Sequence, residues 1–246
     1  MRILVTGAAG YLGSELCRQA VDAGHDAVAA RFRTPPPFGR VVDLDVREPF
    51  DVQADAVVHT AYVMGDADTI VRGTRNVVAA AARAGARLVH LSTDLVFDGE
   101  HAPYSEGDEP RPVSAYGQAK LEAERLLPDG ALAVRTSLLY GKPGPQEALA
   151  ARAGTTFYTD EIRCPTRVDD LAAALLELAG ADLAGILHVA GPDPVSRYDF
   201  AVLLGACDPQ RAPTPPGRAR NVALDSSRAA ALLSAKVRGI KGLLHS

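Results

Sequence analysis

Two pairs of side chains within thirty residues could together move a proton. Ser92 and Thr93 follow the apolar run RLVHL, which delivers a small hydroxyl cluster to the exposed end of a strand. Tyr116 and Lys120 lie further on, in SAYGQAK. On a helix that spacing puts both side chains on one face, about one turn apart. A phenol titrates near 10 when unperturbed, so a fixed ammonium beside it favours phenolate and makes it a better proton donor and acceptor at neutral pH.

Such a cluster needs a scaffold. Ile3 to Val5 read as a buried strand running into TGAAGYLG, and LGSELCRQAVDAG has the apolar spacing of a helix ended by Gly24. In this strand, turn and helix, Gly7 permits a tight turn and Gly10 lets backbone approach a pyrophosphate. Gly13 allows close packing, with phosphate at the positive end of the helix. The next strand, AVAARFR, ends in Arg31 and Arg33, where an NAD site would usually offer an acid to the ribose. An arginine there can pair with a 2′-phosphate, so NADP(H) is favoured and NAD(H) is the less expected cofactor. Further strands are RVVDL, DAVVH, RLVHL, LAVRT and GILHVA, with helical patterns over 67–84 and 114–126 between some of them. This alternation predicts an α/β fold: a Rossmann-type doubly wound parallel sheet with ligand at the carboxyl ends of its strands.

Composition sets the remaining bounds. The chain has 246 residues, 47% hydrophobic and 23% charged, and a formal net charge of −4, which argues against a nucleic-acid partner. No run approaches the roughly 20 apolar residues of a membrane span, and the N-terminal apolar run is too short for a secretory signal, so a cytoplasmic protein is expected. Cys17, Cys164 and Cys207 lack metal-ligand or CxxC spacing and read as buried reduced thiols. His59 and His90 read as core residues, and Asp169 and Asp170 as the start of a helix.

Taken in order, TGAAGYLG, STD and YGQAK resemble the extended short-chain dehydrogenase/reductase superfamily. Within it, STDLVFDG, APYSEGDEPRPVSAYGQAKLEAE, RTSLLYG, CPTRVDDLA and GILHVAGPDPVSRYDFA resemble successive blocks of dTDP-4-dehydrorhamnose reductase. The resemblance implies hydride reduction of a 4-keto group on a nucleotide-linked deoxysugar. Tyr116 would protonate the developing alkoxide, while Lys120 would bind nicotinamide ribose and depress the tyrosine. Thr93, aided by Ser92, would hydrogen-bond the substrate carbonyl, and Asp94 would lie beside the sugar. Gly10, Tyr11 and Leu12 would meet the pyrophosphate, Asp43 and Leu44 the adenine. Thr60 and Ala61 would contact the cofactor together with the loop Tyr62, Val63 and Met64.

The chain departs from that pattern at Leu95 and Leu138, sugar-side positions that lack the usual aromatic rings, and at Ile70, where a relay Asn is usual. Residues 1–140, completed by parts of 165–192, are expected to form the NADP-binding domain. Residues 141–246 would mainly form a small C-terminal substrate-binding annex, discontinuous in sequence. Tyr140, Arg163, Pro165, Thr166 and Arg218 are candidates for its lining, and Arg218 with Arg220 for a diphosphate. A nucleotide-sugar or similar small molecule is the expected partner, with a homodimer as a further expectation. The alternatives are a non-catalytic NADP-binding regulatory or sensor protein of the same fold, or a related sugar-nucleotide epimerase.

Overall fold

The structure is a computed structural model that describes residues 1–141 and 143–245. Its main sheet has seven parallel strands: β1 (Arg2–Thr6), β2 (Asp26–Arg31), β3 (Arg40–Asp43), β4 (Ala56–His59), β5 (Arg87–Thr93), β6 (Leu132–Thr136) and the late strand Gly185–His188. The late strand lies at one edge beside β6, and β5, β4, β1, β2 and β3 follow in that order. Strand order reverses at β1, which opens a crevice at the carboxyl ends of β1 and β4.

The strands read as continuous apolar runs because both faces of the sheet are covered. Ile3 and Val5 point to one face, against Leu16 of α1 (Tyr11–Asp22) and Leu171, Leu175 and Leu178 of the helix Val168–Gly180. Leu4, Val57 and Leu88 point to the other, against Val77 and Ala81 of α2 (Ala67–Ala84). The strand period of two thus decides which residue meets which helix. Helix α2 runs over the interval expected from sequence, capped by Asp66 and ended by Gly85 in the left-handed conformation. Helix α3 (Ala115–Glu124) packs on α2, and Arg72, Arg75, Gln118 and Glu122 are exposed. Strand β2 stops at Arg31, so Phe32 and Arg33 belong to the turn beyond it rather than to the strand.

After β6 the chain makes short pieces outside the sheet: Leu139–Tyr140 paired with Thr166–Arg167, Ile162–Arg163 with Val195–Ser196, and Thr156–Tyr158 with Gln210–Ala212. Among the described residues, no helix is long and apolar enough to cross a membrane. Cys17 and Cys164 are buried, but Cys207 is exposed, because it follows the short helix Arg197–Leu203 in a surface turn.

Candidate active site

The catalytic segment is built as a tight turn against a helix start. Thr93 ends β5, and its hydroxyl accepts from the Leu95 N–H, which starts the single helical turn Asp94–Val96. Ser114 caps α3 by accepting from the Gly117 N–H at 3.1 Å. Gly117 then fits directly under the turn: a β-carbon there would lie 2.1 Å from the Leu95 carbonyl oxygen. This contact sets Tyr116 in the same cleft as Thr93 and leaves its ring centroid 5.9 Å from that of Tyr62. Gly117 was not among the residues singled out from sequence, although it lies inside YGQAK.

Around these side chains lies a cleft of about 280 Å³, lined in part by Gly7, Gly10, Tyr11, Leu12, Thr60, Tyr62, Ser92, Thr93, Leu95, Tyr116 and Leu138. A second cavity of about 380 Å³ shares Gly7, Gly10, Thr60 and Tyr62 with it and continues along Ala61, Val63, Phe32, Arg33, Leu44 and Arg47. Together they follow the carboxyl ends of the strands across the start of α1. Gly10, the residue before α1, offers no side-chain cap, so the first-turn amides are open to an anion. Gly7 has φ +71°, and a β-carbon on Gly13 would sit 2.2 Å from the Gly7 carbonyl oxygen. Gly13 therefore serves packing. Two joined cavities on either side of a bare helix N-terminus fit a dinucleotide.

Two expected cofactor contacts, Arg31 and Asp43, are paired with each other. Arg31 and Asp43 face each other in the β2–β3 register, and the guanidinium donates to both carboxylate oxygens at 2.6 and 2.7 Å. Neither is among the residues that line the groove, and the pair lies on the sheet edge. The cations that do line it are Arg33 and Arg47, whose guanidinium carbons lie 4.8 and 4.7 Å from the Phe32 ring centroid. Leu44 remains in the groove, and Arg47, paired with Asp45, had no motif to mark it.

Asp94 lies deeper than the cleft surface. It is fully buried, where Arg163 donates to both of its oxygens and Ser137 donates to Oδ2 at 2.5 Å. Through these partners it braces the floor of the cleft. Ser92 lines the cleft, but its hydroxyl donates to Glu124, which also forms a buried ion pair with Arg135.

Lys120 is buried under the cleft, where Nζ donates to the Leu91 carbonyl at 2.5 Å and lies 3.3 Å from His90 Nε2. Burial lowers its pKa to about 8, opposed by Glu124. The phenol of Tyr116 is raised rather than depressed: burial acts first, then Tyr62 and Asp94, against Arg163 and the hydrogen bond with Thr93. His59 and His90 are core residues as expected, and burial holds both below the ordinary imidazole value. At the relay position, Ile70 is buried against Ala119, Ala123 and Tyr116, an apolar contact between α2 and α3.

At the other end, Arg163 lines the cleft as expected and Gln146 lines it unanticipated, but Tyr140, Pro165, Thr166 and Arg218 do not. Tyr140 packs edge-on against Phe200, Thr166 is hydrogen-bonded to Cys164 and Gly191, and Pro165 packs its carbonyl on Gly191. Arg218 pairs with Glu161, and Arg220 lies 3.9 Å from Asp160. Sequence reasoning missed Arg197, half-buried behind Gln146 and donating to its Oε1 at 2.8 Å. Burial and the neighbouring Arg163 and Arg218 lower its pKa to about 10, partly offset by Glu161 and Asp94.

A parallel sheet with a glycine turn at its switch point, a Thr at the end of its fifth strand and a Tyr and Lys on the helix that follows, defines a Rossmann-type protein of the extended short-chain dehydrogenase/reductase class. The chain belongs to the family described as RmlD substrate binding domain, which matches residues 1–239. It is 35% identical to the dTDP-4-dehydrorhamnose reductase of Mycobacterium tuberculosis, over 85% of this chain and 77% of that one. It is also 31% identical to methionine adenosyltransferase 2 subunit beta of Bos taurus, over 81% of this chain and 70% of that one. The crystal structure of a hypothetical dTDP-4-dehydrorhamnose reductase from Sulfolobus tokodaii superposes with a TM-score of 0.84 at 28% identity, covering 98% of this chain and 99% of that one.

Proposed function

We propose that this protein is an NADPH-dependent reductase of a nucleotide-linked 4-keto sugar. The observation that carries the reading is the meeting of Thr93 and Tyr116 in a cleft continuous with the glycine-turn groove. Its dTDP-4-dehydrorhamnose reductase relative supports the substrate class.

The cofactor, when bound, supplies a hydride to the carbonyl carbon. Gly10 and the first turn of α1 would hold its pyrophosphate, with Arg33 and Arg47 on a 2′-phosphate. Thr93 would donate to the carbonyl oxygen as negative charge develops, and Tyr116 would give that oxygen its proton. Two of the three Lys120 donors are placed on Leu91 and His90, leaving one for a ribose hydroxyl or the phenolate. Leu91, Leu95, Leu138 and Leu139 line the cleft with hydrocarbon, which excludes water and strengthens these interactions. Arg163, Arg197 and Arg218 share two carboxylates, Asp94 and Glu161, so this end of the cleft favours an anion such as a substrate diphosphate. In this reading the residues after β6 provide the substrate-binding part.

A second reading, a cofactor-binding regulatory subunit, is favoured by Leu95, Leu138 and Ile70 and by the methionine adenosyltransferase subunit among the relatives. NADPH oxidation across 4-keto nucleotide sugars that vary in base and sugar separates the two. Oxidation with at least one member is expected. NADPH binding without oxidation of any member would overturn the reductase reading.

A further inference from the structure

We propose that His90 is a positioning residue for this reaction: its Nε2 accepts a hydrogen bond from the Lys120 ammonium, fixing Nζ beneath the cleft and helping it keep its proton. The proposal rests on the reading of Tyr116 and Lys120 given above.

An ammonium has donors only, so at 3.3 Å from Lys120 Nζ the Nε2 atom of His90 must be the acceptor. The imidazole is then neutral with its proton on Nδ1. That atom is buried and has no hydrogen-bond partner among the described residues, so the tautomer is selected by the lysine and not by a bond on the far side of the ring. The second histidine keeps the ring in place: His59 lies 5.1 Å away at 47°, itself held by Thr6 at 2.7 Å and Thr74 at 3.1 Å.

A neutral acceptor suits this position. A carboxylate would hold the ammonium but cancel its field, whereas an imidazole satisfies one donor and leaves the full positive charge near Tyr116. An apolar side chain would leave that donor unsatisfied and ease the loss of the proton. The other titratable groups facing this pair are Tyr116 and Glu124 on α3, His59 on β4, and Arg135 on β6, which holds Glu124 in an ion pair. Burial has already brought Lys120 to about 8, close to working pH, so the acceptor governs how much of the charged form persists.

The chain has four lysines, Lys120, Lys142, Lys236 and Lys241, so selective carbon-13 labelling of their Cε atoms gives a readable NMR titration of the full-length protein without cofactor. His90→Phe, which keeps a ring and removes the acceptor, is expected to lower the Lys120 midpoint by about one pH unit, a tenfold change in proton affinity. His90→Gln, whose oxygen can take the Nε2 place, should restore most of it, and the alkaline limb of the kcat profile should move in parallel. An unchanged Lys120 midpoint in folded His90→Phe would overturn the proposal, even if turnover falls. Should that variant not fold, nitrogen-15 spectra of the unaltered protein decide: a proton on Nδ1 alone is expected, and one on Nε2 would refute it. Because these titrations need no substrate, a failed reductase assay leaves them interpretable.

Discussion

The Leu95 carbonyl oxygen occupies the space a side chain on Gly117 would need, with 2.1 Å to an ideal β-carbon. Backbone thus touches backbone where α3 starts, and this contact sets the distance between Thr93 and Tyr116. Gly117→Ala must push the turn and the helix apart. It is expected to cost about 1–3 kcal/mol of stability by overpacking and to lower kcat more than cofactor affinity. Urea unfolding and NADPH titration check the two parts, and wild-type kcat would refute the contact's role.

Asp94 and Arg163 form the other fixed point of the floor, both almost wholly inaccessible. Asp94→Ala leaves a buried guanidinium without its main counter-charge, for which a loss of about 3–5 kcal/mol is expected. Replacing both partners with apolar residues should cost less than this single change. Denaturant midpoints of the single and double variants test the order.

Turnover should depend on Tyr116 and not on its ring. Tyr116→Phe keeps the packing against Ile70 and Tyr62 and removes the proton donor. A loss of about 100-fold or more in kcat is expected, with NADPH binding close to wild type by fluorescence titration.

Cofactor choice should follow the groove rather than the strand end. Arg33→Ala with Arg47→Ala is expected to weaken NADPH by about 10- to 100-fold, the usual range for charge-assisted hydrogen bonds, and NADH far less. Arg31→Ala should leave the preference intact, since Arg31 is engaged with Asp43. Isothermal titration with both nucleotides gives the comparison.

Burial holds His59 at about 3, well below its ordinary 6.5. The unfolded chain therefore binds a proton that the folded chain refuses between these values. Stability is complete above about 6.5 and falls as pH drops toward 3, by at most about 1.4 kcal/mol per unit for one proton. His59→Asn should flatten this slope in stability measured by urea at several pH values.

The sheet strands, α2 and the glycine turn were legible because their signals are local: apolar runs, the spacing of a helix face, and caps such as Asp66 and Ser114. That Thr93 and Tyr116 share a cleft follows the order of their motifs. The pairing of Arg31 was not legible, because its distance past the glycines marks a strand end but not the neighbour across it, and Asp43 enters only through sheet register. The burial of Asp94 was hidden for the same reason, as its partner Arg163 lies 69 residues away.

By itself, then, the sequence determined the element order, the parallel sheet, the dinucleotide turn and the Tyr116–Lys120 face, all set by spacing within one element or between neighbours. Tertiary structure alone decided the electrostatics. Which arginine lines the groove, which acid is buried, and what the Lys120 ammonium donates to depend on charges brought together from distant segments and on how much water remains between them.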